Sequence, residues 1–133
     1  MTNERTFKKG YAAELLRIAE GDLESAKGLS KIKMGRTENI LFHVEQSIEK
    51  ALKAVLCCKE KPVPLIHDIG IILARFPEGL NVPESEKMID LSQFAAIRRY
   101  EEGKAEITEE ETALAIALAE RTLAWASVIL KKK

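Results

Sequence analysis

The polar residues with the most suggestive spacing are His43, Gln46, Lys50 and Lys53. They lie three, four and three positions apart, so a helix places them near one face. Glu49 lies next to them. An imidazole, an amide and two ammonium groups in a row can contact a phosphate or a base. The same pattern also suits a solvated face with one half-buried histidine. A second cluster, Arg98-Arg99-Tyr100-Glu101, sets two guanidinium groups beside a phenol. Two arginines can grip a phosphate bidentately. Equally, an arginine near a helix C-terminus complements the dipole and pairs with carboxylates such as Glu101 or Glu102. His67-Asp68 has the residue types of metal ligands, but a metal site needs more of them, and His43 is the only other histidine. Capping of a following helix, with Asp68 accepting backbone N–H bonds, is the simpler reading.

Other patterns are weaker. No glycine-rich phosphate loop, Ser-His-Asp arrangement or acid/base carboxylate pair stands out. Cys57 and Cys58 are adjacent, a geometry that strains a disulfide, so reduced thiols are expected. Trp125 reads as core or dimer interface, and Lys131 to Lys133 as a frayed, solubilising tail.

The elements that carry these residues read as helices. Tyr11, Leu15, Ile18, Leu23, Ala26 and Leu29 predict a first helix from about Tyr11 to about Leu29. Gly21 and Gly28 weaken it by roughly 1 kcal/mol each where exposed, and Gly35 marks a break. The strongest periodicity follows, from about Thr37 to about Lys59. Leu41, Val44, Ile48, Ala51 and Val55 form its stripe, and Ile40, Leu52 and Leu56 widen it. Glu49 and Lys53 are spaced as an i,i+4 pair, and Pro62 and Pro64 end the helix. A short third helix is expected over His67–Phe76. A fourth spans about Glu84–Glu102, with Met88, Leu91, Phe94, Ala95 and Tyr100 inward. Thr108 and Glu111 are spaced as a capping box for a fifth, which carries Leu114, Ala117, Leu118, Leu123, Trp125, Ile129 and Leu130. No strand pattern is visible. The expected fold is all-α: an up-and-down four-helix bundle with an additional short helix.

Composition agrees. The 133 residues fit one domain, 1–133, with a flexible N-terminus over 1–9. Hydrophobic residues at 46% and charged residues at 32% describe a folded chain, and 5% aromatics describe an aliphatic core. The 21 basic and 21 acidic residues cancel, which argues against a general nucleic-acid coat but leaves room for a local basic groove. The most apolar run, Ala113 to Ala119, is short for a membrane span, and residues 1–10 lack the apolar core of a signal peptide. A cytoplasmic protein without membrane contact is expected.

Four segments then resemble a known family. Asp22-Leu23-x-x-Ala26, Phe42-His43-x-x-Gln46-x-x-Glu49-Lys50-x-Leu52-Lys53-Ala54, His67-Asp68-Ile69 and Arg99-Tyr100 resemble, in order and spacing, the HEPN domain (higher eukaryotes and prokaryotes nucleotide-binding). The resemblance implies a helical bundle, usually a homodimer. Many small prokaryotic members look like the substrate-binding or partner subunit of a minimal nucleotidyltransferase, and some are toxins of toxin–antitoxin pairs. A large subset are metal-independent ribonucleases that use an arginine, a polar residue and a histidine a turn or so further on. This sequence departs from that subset, because no histidine follows Arg98 or Arg99. It also lacks the histidine-x-tyrosine site that a partner transferase modifies in some toxins.

The expectation is therefore a homodimeric, non-catalytic module that binds a nucleotide or nucleotide-like ligand without cofactor or metal, beside a minimal nucleotidyltransferase. Lys50, Lys53, Arg98 and Arg99 are the candidate phosphate contacts, and His43, Gln46 and Tyr100 the candidate orienting groups. Two alternatives remain. One is a divergent ribonuclease toxin using Arg98 or Arg99 with a displaced histidine, which would make RNA a partner. The other is a purely structural dimerisation or adaptor domain.

Overall fold

The broad stripe that marks the second helix needs cover on more than one side, and the fold supplies it. The computed structural model describes residues 3–32, 37–100 and 107–132, the side chains of 98–100 excepted. Helix α1 spans Tyr11–Ile32 and α2 spans Thr37–Cys58. Ile40, Leu41, Val44, Ile48, Ala51, Leu52, Val55 and Leu56 of α2 are all buried. α1 runs antiparallel to α2: Asp22 meets Lys50 at mid-length, and the Lys8 carbonyl just before α1 accepts from Cys57 Sγ near the end of α2.

Three helices follow. α3 (Ile69–Ala74) is short, α4 spans Ser85–Tyr100, and α5 spans Glu109–Lys131. α5 packs on both α1 and α2, burying Ala115, Leu118, Ala119, Leu123, Ala126 and Ile129. It is long and apolar enough to cross a membrane by length and composition, but that buried stripe makes it a core helix of the bundle. The expected all-α bundle with one short extra helix is the observed architecture.

Local chemistry sets the helix ends. Thr108 Oγ1 accepts from Glu111 N at 3.0 Å, and Glu111 Oε1 accepts from Thr108 N at 2.9 Å, the expected capping box. Asp68 caps α3, its Oδ1 accepting from Ile71 N at 3.0 Å. The end of α2 lies ahead of Pro62. Glu60 takes a left-handed φ of 58°, Glu60 N donates to Cys57 O, and Lys61 N donates to Leu56 O. Those paired bonds form a Schellman cap, so the turn at Glu60 stops the helix before proline is reached.

Several sequence expectations need correction. Strands do occur: β1 (Glu4–Arg5) pairs antiparallel with β2 (Val63–Pro64), and Leu65 N donates to Asn3 O at 2.7 Å. Two residues per strand are too few to show a period. The pairing holds residues 3–5, within the stretch 1–9 expected to be flexible, against residues 63–65. In α1 the buried face is Ala12, Leu15, Leu16, Ala19, Leu23 and Ala26, while Tyr11 and Ile18 are exposed. Leu114, in the apolar run of α5, is 65% exposed. Gly35 lies outside the described residues.

Candidate functional site

Phe42, Glu45, Gln46 and Glu49 follow the i, i+3, i+4, i+7 spacing of one helix face. That face of α2 looks across to Ser92 and Ala96 of α4, and His67 closes one side. Together they line a cavity of about 500 Å³. Its lining is mixed. Phe42 offers an exposed ring, Gln46 an amide, and Glu45 and Glu49 are buried carboxylates. A mainly apolar hollow of about 360 Å³ between α4 and α5 has Leu91, Phe94, Leu114 and Leu118 in its wall, with Lys87, Asp90, Glu111 and Arg121 around them; Lys87 and Arg121 are both paired with Glu84.

Glu49 is only 3% exposed, yet it has a partner. Its Oε2 lies 3.0 Å from Nδ1 of His67. A carboxylate out of water needs such a bond. The bond also orients the imidazole, whose Nδ1–H donates to the carboxylate. Because Asp68 caps α3, the chain turn that brings His67 to Glu49 is held by the helix it precedes.

Lys50 points elsewhere. Its Nζ lies 3.2 Å from Asp22 Oδ2 and 2.9 Å from Gln46 Oε1, so it bridges α2 to α1. Burial holds the Lys53 ammonium below the ordinary lysine pKa, against the opposing pull of Glu49. His43 is half-buried, its ring edge-on to Phe42 with centroids 5.5 Å apart. Its Nδ1 is buried and finds no hydrogen-bond partner.

A model of the HEPN domain matches residues 12–130 of the chain. The chain belongs to the HEPN domain family. The crystal structure of TT1696 from Thermus thermophilus is similar to this HEPN chain, with a TM-score of 0.73 and 27% identity. The match covers 90% of this chain and 98% of that one. No curated protein matches.

For this HEPN protein, the sequence-derived ligand residues divide. Gln46 lines the cavity, and Lys50 is bonded to it but committed to Asp22. His43 and Lys53 sit on the same helix without lining the cavity. Arg98, Arg99 and Tyr100 fall in the last turn of α4, with side chains outside the described residues. Sequence reasoning missed Phe42, Glu45, Ser92 and Ala96, and gave Glu49 to Lys53 rather than to His67. The signal for the first two was present: Phe42, Glu45 and Glu49 share the register of Gln46. Among the described residues, no group of three or more His, Cys, Asp or Glu side chains is placed to hold a metal ion.

Proposed function

We propose that this HEPN protein binds a nucleotide or nucleotide-like ligand in the cavity between α2 and α4. The observation that carries the reading is the juxtaposition of the Phe42 ring with Gln46, Glu45, Glu49 and His67 around one hollow. An aromatic face accepts a base by stacking. An amide and carboxylates bond to base or ribose edges, which present both donors and acceptors. The two carboxylates repel phosphate, so the triphosphate faces outward. Lys53, Arg98 and Arg99 are the proposed contacts for it. Lys50 supports Gln46, and Tyr100 and His43 are proposed as orienting groups from the sequence pattern.

In this reading the protein is a cytoplasmic homodimer that serves as the substrate-binding partner of a minimal nucleotidyltransferase, in some settings within a toxin–antitoxin pair. The test is calorimetric titration with ATP, GTP, CTP and UTP, alone and with such a transferase. Phe42→Ala and Gln46→Ala are each expected to weaken binding about tenfold, the scale of one lost stacking or hydrogen-bond contact. Absence of heat with every nucleotide, with and without the transferase, refutes the proposal.

One observation favours a second reading. His67, fixed through Nδ1 by Glu49, has the arrangement of an oriented general base. Its Nε2 can take the proton of an RNA 2′-hydroxyl. The 2′-oxygen then bonds to phosphorus, and the departing 5′-oxygen recovers the proton from the imidazolium. That is a divergent ribonuclease with its histidine before α3. RNA cleavage abolished by His67→Ala supports it, and intact RNA with the wild-type chain rejects it.

A further inference from the structure

The chain is neutral overall, with 21 residues of each sign, so any local surplus of charge has to be placed. One end of the bundle holds such a surplus. β1 puts Arg5 opposite Val63, and the Cys57–Lys8 bond ties the start of α1 to the end of α2. These contacts gather Arg5, Lys8, Lys9, Lys59 and Lys61 around one pole, all five exposed. None of the five forms an ion pair among the described residues. Of the carboxylates near this pole, Glu4 is held by Arg75 and Glu14, in the first turn of α1, by Arg17, while Glu60 follows α2 between Lys59 and Lys61.

Helix dipoles account for part of this cluster. Lys59 and Lys61 follow the C-terminus of α2, where cations are favoured. Lys8 and Lys9 precede the N-terminus of α1, where cations are disfavoured. They are on the wrong side of that dipole, so the cluster is not a by-product of helix capping.

Aromatic rings lie among the cations. The Arg5 guanidinium sits 4.9 Å from the Phe7 ring centroid. Phe7 and Tyr11 are stacked, with centroids 5.1 Å apart and planes 25° from parallel. Tyr11 starts α1 yet is 40% exposed, one of the apolar positions expected in the core and found outside it. A stacked aromatic pair with an open ring, flanked by unpaired cations, matches what single-stranded nucleic acid needs: a backbone track and a platform for a base.

We propose that this pole, built from β1, the start of α1 and the end of α2, is a binding surface for single-stranded nucleic acid. It is separate from the α2–α4 cavity and does not depend on the nucleotide reading of that cavity. The phosphates meet Lys8, Lys9, Lys59 and Lys61, and a base stacks on Tyr11. An acidic peptide would use the cations but gain nothing from the ring, and a duplex would bury its bases away from it.

The experiment is fluorescence anisotropy of the full chain with a labelled oligouridylate, read across a salt series. Single strands lose affinity with salt at a log–log slope of about −0.7 per phosphate, so four contacts predict a slope of about −3. Lys8→Gln with Lys9→Gln is expected to make that slope shallower by about 1.4, two phosphates' worth. Tyr11→Ala is expected to weaken binding about tenfold with the slope unchanged, and Tyr11→Phe, which keeps the ring, to restore it. Triphosphate binding in the cavity is expected to persist in the lysine double variant, which separates this surface from that site. No anisotropy change at low salt, a slope unmoved by the double variant, or equal competition by polyglutamate, anionic vesicles or duplex DNA each overturns the proposal.

Discussion

Glu49 and His67 join two parts of the fold that are not neighbours in sequence. The carboxylate comes from the middle of α2 and is buried, whereas the imidazole stands at the surface just before α3, with 3.0 Å between Oε2 and Nδ1. His67→Ala leaves the buried carboxylate without that donor. An unsatisfied buried polar group costs about 1–3 kcal/mol, and a lower urea midpoint is the expected result. Glu49→Gln keeps an acceptor for the ring and is expected to cost less. If His67→Ala and wild type unfold at the same urea concentration, the bond does not hold α3 to α2.

The core has a definite side, and two leucine-sized truncations test it. Ile48 of α2 is fully buried, while Leu114 of α5 is 65% exposed. Ile48→Ala removes methyl groups from close packing and is expected to cost about 2–5 kcal/mol. Leu114→Ala is expected to stay within about 0.5 kcal/mol, as surface changes do. Denaturant melts of the two variants distinguish these values directly, and equal losses would show that α5 buries a different stripe.

These two residues also show what the sequence could and could not disclose. Ile48 sits in a stripe so regular that only a helix buried along its length explains it. Leu114 belongs to an equally apolar run, and nothing local reveals that α4 fails to cover it. Burial of Glu45 and Glu49 was hidden for a related reason: a carboxylate enters the interior only because α4 and His67 approach that face, and such contacts are not written in α2. The capping box at Thr108 and the cap at Asp68 were legible because both ends of each bond lie within one turn. The family signature was legible, but the cavity it surrounds was not, since Phe42 and Ser92 come from helices far apart in sequence.

Glu60 carries the left-handed conformation that ends α2, at φ 58°. A side chain there costs roughly 1–2 kcal/mol relative to glycine in the same region. Glycine is the usual residue at this position of a Schellman cap. Glu60→Gly is therefore expected to raise stability, reduced to about 0.5–1 kcal/mol by the greater freedom of glycine in the unfolded chain. A rise in the thermal midpoint supports the cap. A fall means that the Glu60 side chain contributes more than its backbone costs.

Lys53 gives the chain an alkaline signature. Burial lowers its folded pKa, outweighing the attraction of Glu49, and Lys50 adds to the lowering. The folded state then releases the proton before the unfolded state does. Between the depressed folded value and the ordinary value near pH 10.4, the unfolded chain binds more protons, so this group's contribution to stability rises with pH. At neutral pH the charged ammonium is a cost that Lys53→Met removes while keeping the aliphatic stem packed. Lys53→Met is expected to be more stable than wild type at pH 7, with the difference shrinking as pH climbs toward 10.4. Guanidinium melts of both proteins at pH 7, 8.5 and 10 measure that difference. A gap that is constant across the series would mean that burial does not depress the Lys53 pKa in the folded chain.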